Sequence, residues 1–330
     1  MPDRFSNLQS LRFYVTVLAF ASALPMITGS YSTSSVVLVF AIAAAACNLL
    51  LGYGGILSFA QGSFFGIGSY TVGILLKAWP GLHLVALPAS MLAGALPAVA
   101  IGLLSTRRKG IYSVMITLSM AQLAFFAAVA FPGITGGENG LLDIPRLSIG
   151  LSAWLTEGQE NYVLTALVFL AALAFLARII ASPFGRVLDA VRENDDRAET
   201  LGFHVQWIKV LAFCLSGALT ALAGALYALE LRSAPLSGVD LMTSESILIM
   251  AIVGGRRSII GACFGALAMT LMGELLAPIW PRWQMIVGFV LIAVVLFAPE
   301  GLGGLWRRWL PVRRPDSASA VASAPQGEAA

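Results

Sequence analysis

The residues that could do chemistry in this chain crowd into one stretch. Residues 185–202 read GRVLDAVRENDDRAETLG, where nearly every second side chain is charged. Acidic clusters near membranes bind Mg-diphosphate in prenyltransferases, but those sites take acids three or four apart on two helices. The NDDRAE run at 194–199 has no second Asp-rich partner anywhere in the chain, which counts against that chemistry. The chain contains no GxxxxGK[ST] loop to cradle nucleotide phosphates, no HExxH and no GxSxG. His83 and His204, the only histidines, read as interface residues rather than catalysts. Cys47, Cys214 and Cys263 lie in apolar stretches without CxxC or Cys/His spacing, so they read as small packing residues and no metal site is expected.

A second group of polar residues interrupts long apolar runs: Asn48, Ser58, Gln61, Ser63, Ser69, Thr117 and Gln122. Polar groups are expensive inside a bilayer and often mark function, which makes these seven candidates for a translocation path. The plainer alternative is that hydroxyls bond back to their own helix or join neighbouring helices. That alternative weighs more for the serines and threonine than for Asn48 and Gln61. Glu245 and Glu274 fall near the outer ends of apolar runs, and no acid sits convincingly at mid-membrane. Such a path suits a small zwitterion or neutral amide, and it counts against proton coupling.

These residues must be positioned by elements that live in lipid. The 330-residue chain is 58% hydrophobic and 11% charged, with a mean hydropathy of +0.85. Soluble domains carry roughly 25% charged residues, so this surface faces a bilayer. The net charge of +3 is too small to point to nucleic acid. Apolar runs predict ten spans, near 12–30, 35–52, 60–79, 84–104, 111–131, 161–181, 208–230, 244–254, 259–279 and 283–299. The third is weakened by Gly62, Gly66, Gly68 and Gly73, and the eighth is too short to cross alone. Broken or short helices at membrane depth must be shielded by protein or line a watery cavity. Ala21-Ser22-Ala23 imitates a signal-peptidase site after Arg4 and Arg12, but the apolar run continues past it, so a retained first span is expected.

Ten crossings with both termini inside place every basic cluster on the cytoplasmic side: Arg4/Arg12, RRK at 107–109, Arg186/Arg192/Arg197/Lys209, Arg256/Arg257 and Arg307/Arg308/Arg313/Arg314. The outer stretches 132–160, 231–243 and 279–283 carry only Arg146, Arg232 and Arg282. Residues 1–310 read as one integral domain with a long outer loop at 132–160. The Ala/Ser/Pro-rich tail 311–330 reads as disordered.

Two segments echo each other. GGILSFAQGSFFG (54–66) and GGRRSIIGACFG (254–265) share GG, two residues, Ser, a short spacer and GxxFG, and both are expected on the cytoplasmic side. Transporters are often built from such repeats. On a helical projection of 186–201, Val187, Val191, Asn194, Ala198 and Leu201 share one face, while Asp189, Glu193, Asp196 and Thr200 share the other. Pro183 and Gly185 punctuate its start and Gly202 its end, so one amphipathic helix is expected across the cytoplasmic ends of the spans. Periodicity alone leaves an inert connector and a docking helix both open.

The segment GRVLDAVRENDDRAETLGFHVQWIKVLAFCLSGALTALAGALYA resembles the cytoplasmic coupling segment of the permease subunits of branched-chain amino acid ABC importers, of the LivM type. Further likenesses are NLLLGYGGILSFAQGSFFGIGSYT (48–71), RRKGIYSVMITLSMAQL (107–123), TGGENGLLDIP (135–145) and IVGFVLIAVVLFAPEGLGGL (286–305). The chain departs from that family's GGxGTxxGPxxGA pattern, with Arg256/Arg257 in place of the usual residue and glycine and no Pro after Gly261. Gln122 stands about where many relatives carry Glu.

The resemblance implies an all-α inner-membrane protein whose coupling segment, about 182–207, docks on an ATPase. It implies two cytoplasmic ABC ATPases that bind the ATP, a second LivH-type permease and a periplasmic substrate-binding protein. Arg186, Asp189, Arg192, Glu193, Asn194 and Glu199 are the expected docking surface. Urea and short-amide importers belong to the same superfamily, so these remain alternative cargoes. An ion-coupled secondary transporter is the competing class.

Overall fold

In hydrocarbon every backbone amide and carbonyl must be satisfied within the protein, so long apolar runs become helices. The computed structural model describes residues 3–79, 81, 83–108, 110–145, 157–280 and 282–297. The tail 311–330, Arg146, Lys109 and the arginines at 307–314 lie outside the described residues, as do the side chains of Arg4, Arg12 and His83. Among the described residues the regular elements are helices, joined by short turns, with a single isolated antiparallel bridge. In chain order the helices are α1 (Asp3–Thr28), α2 (Tyr31–Asn48), α3 (Gln61–Ala78), α4 (His83–Ser105), α5 (Ile111–Ala130), α6 (Pro132–Thr135) and α7 (Glu157–Ala181). They continue with α8 (Pro183–Glu193), α9 (Asp195–Thr200), α10 (Val205–Leu231), α11 (Leu241–Gly254), α12 (Ile259–Leu276) and α13 (Trp283–Phe297).

Among the described residues, six helical stretches are long and apolar enough to cross a membrane: Tyr31–Tyr53, Val85–Ser105, Ile111–Ala130, Gly158–Ala181, Val205–Leu231 and Ile259–Leu276. Tyr14–Thr28 and Leu241–Gly254 are shorter apolar helices. The glycine- and serine-rich α3 is helical over Gln61–Ala78 but falls outside that set.

The two most enclosed spans are α2 and α10. α10 lies mainly against α3 and α4, while α2 is surrounded by α12, α10, α7 and α11. Lipid provides no hydrophobic drive for helices to associate, so close approach depends on small residues. A Cβ on Gly68 of α3 would overlap the Ala221 carbonyl of α10, and one on Gly224 of α10 would overlap the Phe65 carbonyl of α3. Gly94 of α4 and Gly217 of α10 make the same kind of contact. The glycines that weaken α3 as a sequence signal are what lets it pack.

The stretch after α5 is shaped by glycine turns. In the TGGENG stretch, Gly136, Gly137 and Gly140 all have positive φ, at 79°, 63° and 71°. A side chain at Gly136 would overlap the Gly140 carbonyl. The turn delivers Leu141 to Ala234 on the α10–α11 connection. There the Leu141 amide donates at 3.0 Å and the Ala234 amide returns a bond at 2.8 Å.

Two expectations need correction. The amphipathic segment is not one helix over 186–201. It breaks at Asn194, whose backbone is extended (φ −159°, ψ 107°) and whose side chain accepts from the Arg197 amide at 3.0 Å. A capping Asn competes with helix continuation, which a helical projection does not register. Leu201, placed on the apolar face by that projection, is 69% exposed, and Leu188 is fully buried instead.

Candidate functional site

The corner formed by α8 and α9 is assembled from a short apolar seam. Val191, Ala198 and Val205 are buried together, with Val187 and Ile208 packed against them. Lys209 of α10 pairs with Asp195 at 2.7 Å, fixing the start of α9 to α10. The outer side of the corner exposes Arg186, Glu193, Asn194, Asp196, Arg197 and Glu199, followed by Leu201, Phe203 and Trp207.

Asp189 and Arg192, two of the six residues expected on the docking surface, turn toward the spans. The Arg192 guanidinium donates to the Gly52 carbonyl at 2.6 Å. Its stem lies over Gly55, where a Cβ would come within 2.9 Å of Arg192 Cγ. Asp189 forms an ion pair with Arg257, on the turn between α11 and α12. The other four, Arg186, Glu193, Asn194 and Glu199, are exposed.

The surface that α8 meets is made of the two segments that echo each other. After α2 the chain makes a π-helical turn at Leu49–Tyr53, passes Gly54 and Gly55 (φ +66°), and runs without helix to Gln61. After α11 it passes Gly254 and Gly255 (φ +109°) and restarts at Ile259. Ser58 accepts from the Ala60 amide at 3.3 Å, and Ser258 accepts from the Gly261 amide at 3.0 Å. Each turn is therefore GG, two residues and a serine that satisfies an amide at the next helix start. The turns lie side by side because Asn48 joins them, donating to the Gly255 and Ser258 carbonyls at 3.1 and 2.9 Å and accepting from the Arg257 amide at 3.2 Å. The Tyr53 hydroxyl adds a bond to the Arg257 carbonyl at 3.0 Å. Gly52 is required beneath this arrangement, since a Cβ there would overlap Asn48 Oδ1.

Beside the corner is a cleft of about 470 Å³ lined by both charged and apolar residues, Arg108, Arg192, Glu193 and Lys209 with Ile56 and Leu57 among them. Among the described residues no group of three or more His, Cys, Asp or Glu is placed to hold a metal.

Five of the seven polar residues expected along a path are bonded within the subunit. Asn48 and Ser58 serve the two turns. Gln61 donates to Ser216 at 3.1 Å and accepts from Thr220 at 2.7 Å, and Ser216 in turn donates to the Ala46 carbonyl at 2.8 Å. Ser69 bonds back to the Gly66 carbonyl at 2.7 Å. Thr117 bonds back to Val114 at 2.8 Å and accepts from the Phe59 amide at 3.2 Å. Ser63 is buried, and its hydroxyl has no partner among the described residues. Gln122 is half-buried on α5.

Several partners escaped the sequence reading. Ser216 and Thr220 stand four apart on one face of α10, a spacing visible in the sequence. Ser244 of α11, which accepts from the Gly62 amide at 2.8 Å, has no such signal. Glu274 accepts from Thr33 at 2.7 Å, joining the end of α12 to the start of α2.

Among the described residues, six membrane-length helices, with glycine turns between some of them and a charged corner at one end, mark a polytopic membrane protein. The family model described as branched-chain amino acid transport system, permease component, matches residues 29–296, and the chain belongs to this family. It aligns over 337 positions with the high-affinity branched-chain amino acid transport system permease protein LivM of Escherichia coli (strain K12), at 26% identity, covering 94% of this chain and 77% of that protein. It is 28% identical to the probable branched-chain amino acid transport permease protein LivH of Methanocaldococcus jannaschii, over 76% of this chain and 84% of that protein. It is also 28% identical to the autoinducer 2 import system permease protein LsrC of Escherichia coli O157:H7, over 82% of this chain and 78% of that protein. No solved structure matches the chain. The chain is thus an ABC-type permease subunit and a multi-pass protein of the bacterial inner membrane.

Proposed function

We propose that this subunit forms half the translocation path of an importer of branched-chain amino acids and docks on a cytoplasmic ATPase through the α8–α9 corner. The observation that carries the reading is the two-sidedness of that corner. Its outer side exposes Arg186, Glu193, Asn194 and Glu199, while its inner side is fastened to α10 and to two glycine turns. A solvated connector needs no such fastening. The partners are two ABC ATPases, a second LivH-type permease and a periplasmic substrate-binding protein. The chain crosses ten times with both termini in the cytoplasm, residues 1–310 forming the permease and 311–330 a tail.

α5 is the least covered of the six long spans and carries Ser119 exposed and Gln122 half-buried. We assign this face to the second permease, with the path running between the two. Amino-acid cargo rests on the family description and on the LivM and LivH names. The LsrC relatives carry a different cargo in their name, so likeness within the wider group does not by itself fix the substrate.

The test is purification of the tagged subunit from its native membrane. Two P-loop ATPases and a second permease are expected to accompany it, and the ATPases to be lost when Glu193 and Glu199 are replaced by Ala. A chain that purifies alone and transports in proteoliposomes without ATP would overturn the reading in favour of an ion-coupled carrier.

A further inference from the structure

We infer that α8 passes ATPase motion to the spans through side-chain ties to both glycine turns, which makes Asp189, Arg192 and Arg257 positioning residues of the transport cycle. This rests on the docking reading above and adds the route by which docking acts.

Three observations carry it. First, the covalent ends of α8 are weak levers. Ser182 (φ −73°, ψ 168°) and Asn194 (φ −159°, ψ 107°) are single non-helical residues on either side of it. A force applied at the outer side would swing α8 about these points unless it were tied elsewhere.

Second, the ties land on equivalent turns. Leu188 and Arg192 cover the first, at Gly54 and Gly55, and Arg192 also holds the Gly52 carbonyl. Asp189 holds the second through Arg257. Asn48 joins the turns, so they are built to shift together. From the first turn the chain enters α3, whose Gly62 amide bonds to Ser244 of α11; the second turn joins α11 to α12. A displacement of α8 therefore reaches three helices at once.

Third, Arg257 keeps a glycine's backbone. Its φ is +64°, a region that is strained for a residue with a side chain. Strain of this kind persists where the surroundings hold it, and here the guanidinium is held by Asp189.

The experiment uses the complete importer, with its ATPases, second permease and binding protein, in proteoliposomes, and reads substrate transported per ATP hydrolysed. Allosteric coupling of ordinary size implies that Asp189→Arg or Arg257→Asp alone lowers this ratio roughly fivefold or more. Combining the two exchanges is expected to recover most of it; Asp tolerates positive φ, so the swap is compatible with the turn. Arg257→Gly removes the tie and the strain together. It is expected to leave thermal stability equal or higher and still lower the ratio, which a purely structural role would not do. A wild-type ratio in Arg257→Gly, or singles that fall with no recovery in the double, overturns the inference. The docking reading fails separately, if Glu193→Ala/Glu199→Ala keeps its ATPases bound and its transport intact.

Discussion

Asn48 at the end of α2 holds the backbone of Arg257, 209 residues away, by accepting its amide hydrogen at 3.2 Å. The same side chain donates to the carbonyls on both sides of Arg257, at Gly255 and Ser258. One buried amide thus satisfies three backbone groups of a turn that could not satisfy them itself.

Replacing Asn48 by Ala leaves three backbone groups of that turn short of a partner. A buried donor or acceptor stripped of its partner costs about 1–3 kcal/mol; with the Gly255 bond buried and the other two part-buried, a loss of that order is expected. Thermal unfolding of the purified subunit in detergent checks this. Asn48→Asp should also destabilise, because a carboxylate cannot donate to the two carbonyls.

Gly224→Leu should prevent α10 from reaching α3, since even a Cβ there would overlap the Phe65 carbonyl. Overpacking a tight contact costs typically about 1–3 kcal/mol, and backbone on the other side leaves little room to relax. The yield of monodisperse protein in detergent should fall sharply. Gly133→Ala, at an exposed position with open space around it, should be silent in the same assay.

Gly136→Val should unfasten the loop that follows α6. The residue has φ +79° and its Cβ would overlap the Gly140 carbonyl, so a β-branched side chain is doubly excluded. Amide exchange at Leu141, whose hydrogen bond to Ala234 depends on that turn, should accelerate while exchange within α10 stays slow.

Docking through the outer side of the corner should depend on salt. Glu193 and Glu199 are exposed, and charges at a rim are screened over about 8 Å at ~0.15 M ionic strength. ATPase retention on the immobilised permease should therefore weaken as salt rises. The Glu193→Ala/Glu199→Ala variant should start lower and respond less. A salt-independent association would point instead to the exposed apolar residues Leu201, Phe203 and Trp207 as the main contact.

The sequence by itself determined the medium, the helical class and the position of the charged corner. It could do so because these follow from composition and from local periodicity, which the bilayer reads one segment at a time. It also showed the echo of GGILS and GGRRS, since turn residues and capping serines are local requirements. Only the tertiary structure decided what the polar residues do. Asn48, Gln61 and Thr117 all intrude into apolar runs, yet one staples two turns, one joins α3 to α10 and one satisfies an amide of a broken segment. Likewise only the fold turned Asp189 and Arg192 inward while leaving Glu193 and Glu199 outside. A hydrogen bond of the backbone to itself is set by neighbours in sequence. A hydrogen bond across 140 or 209 residues, such as Arg192 to Gly52 or Asn48 to Arg257, is set by which helices lie together, and no local pattern encodes that.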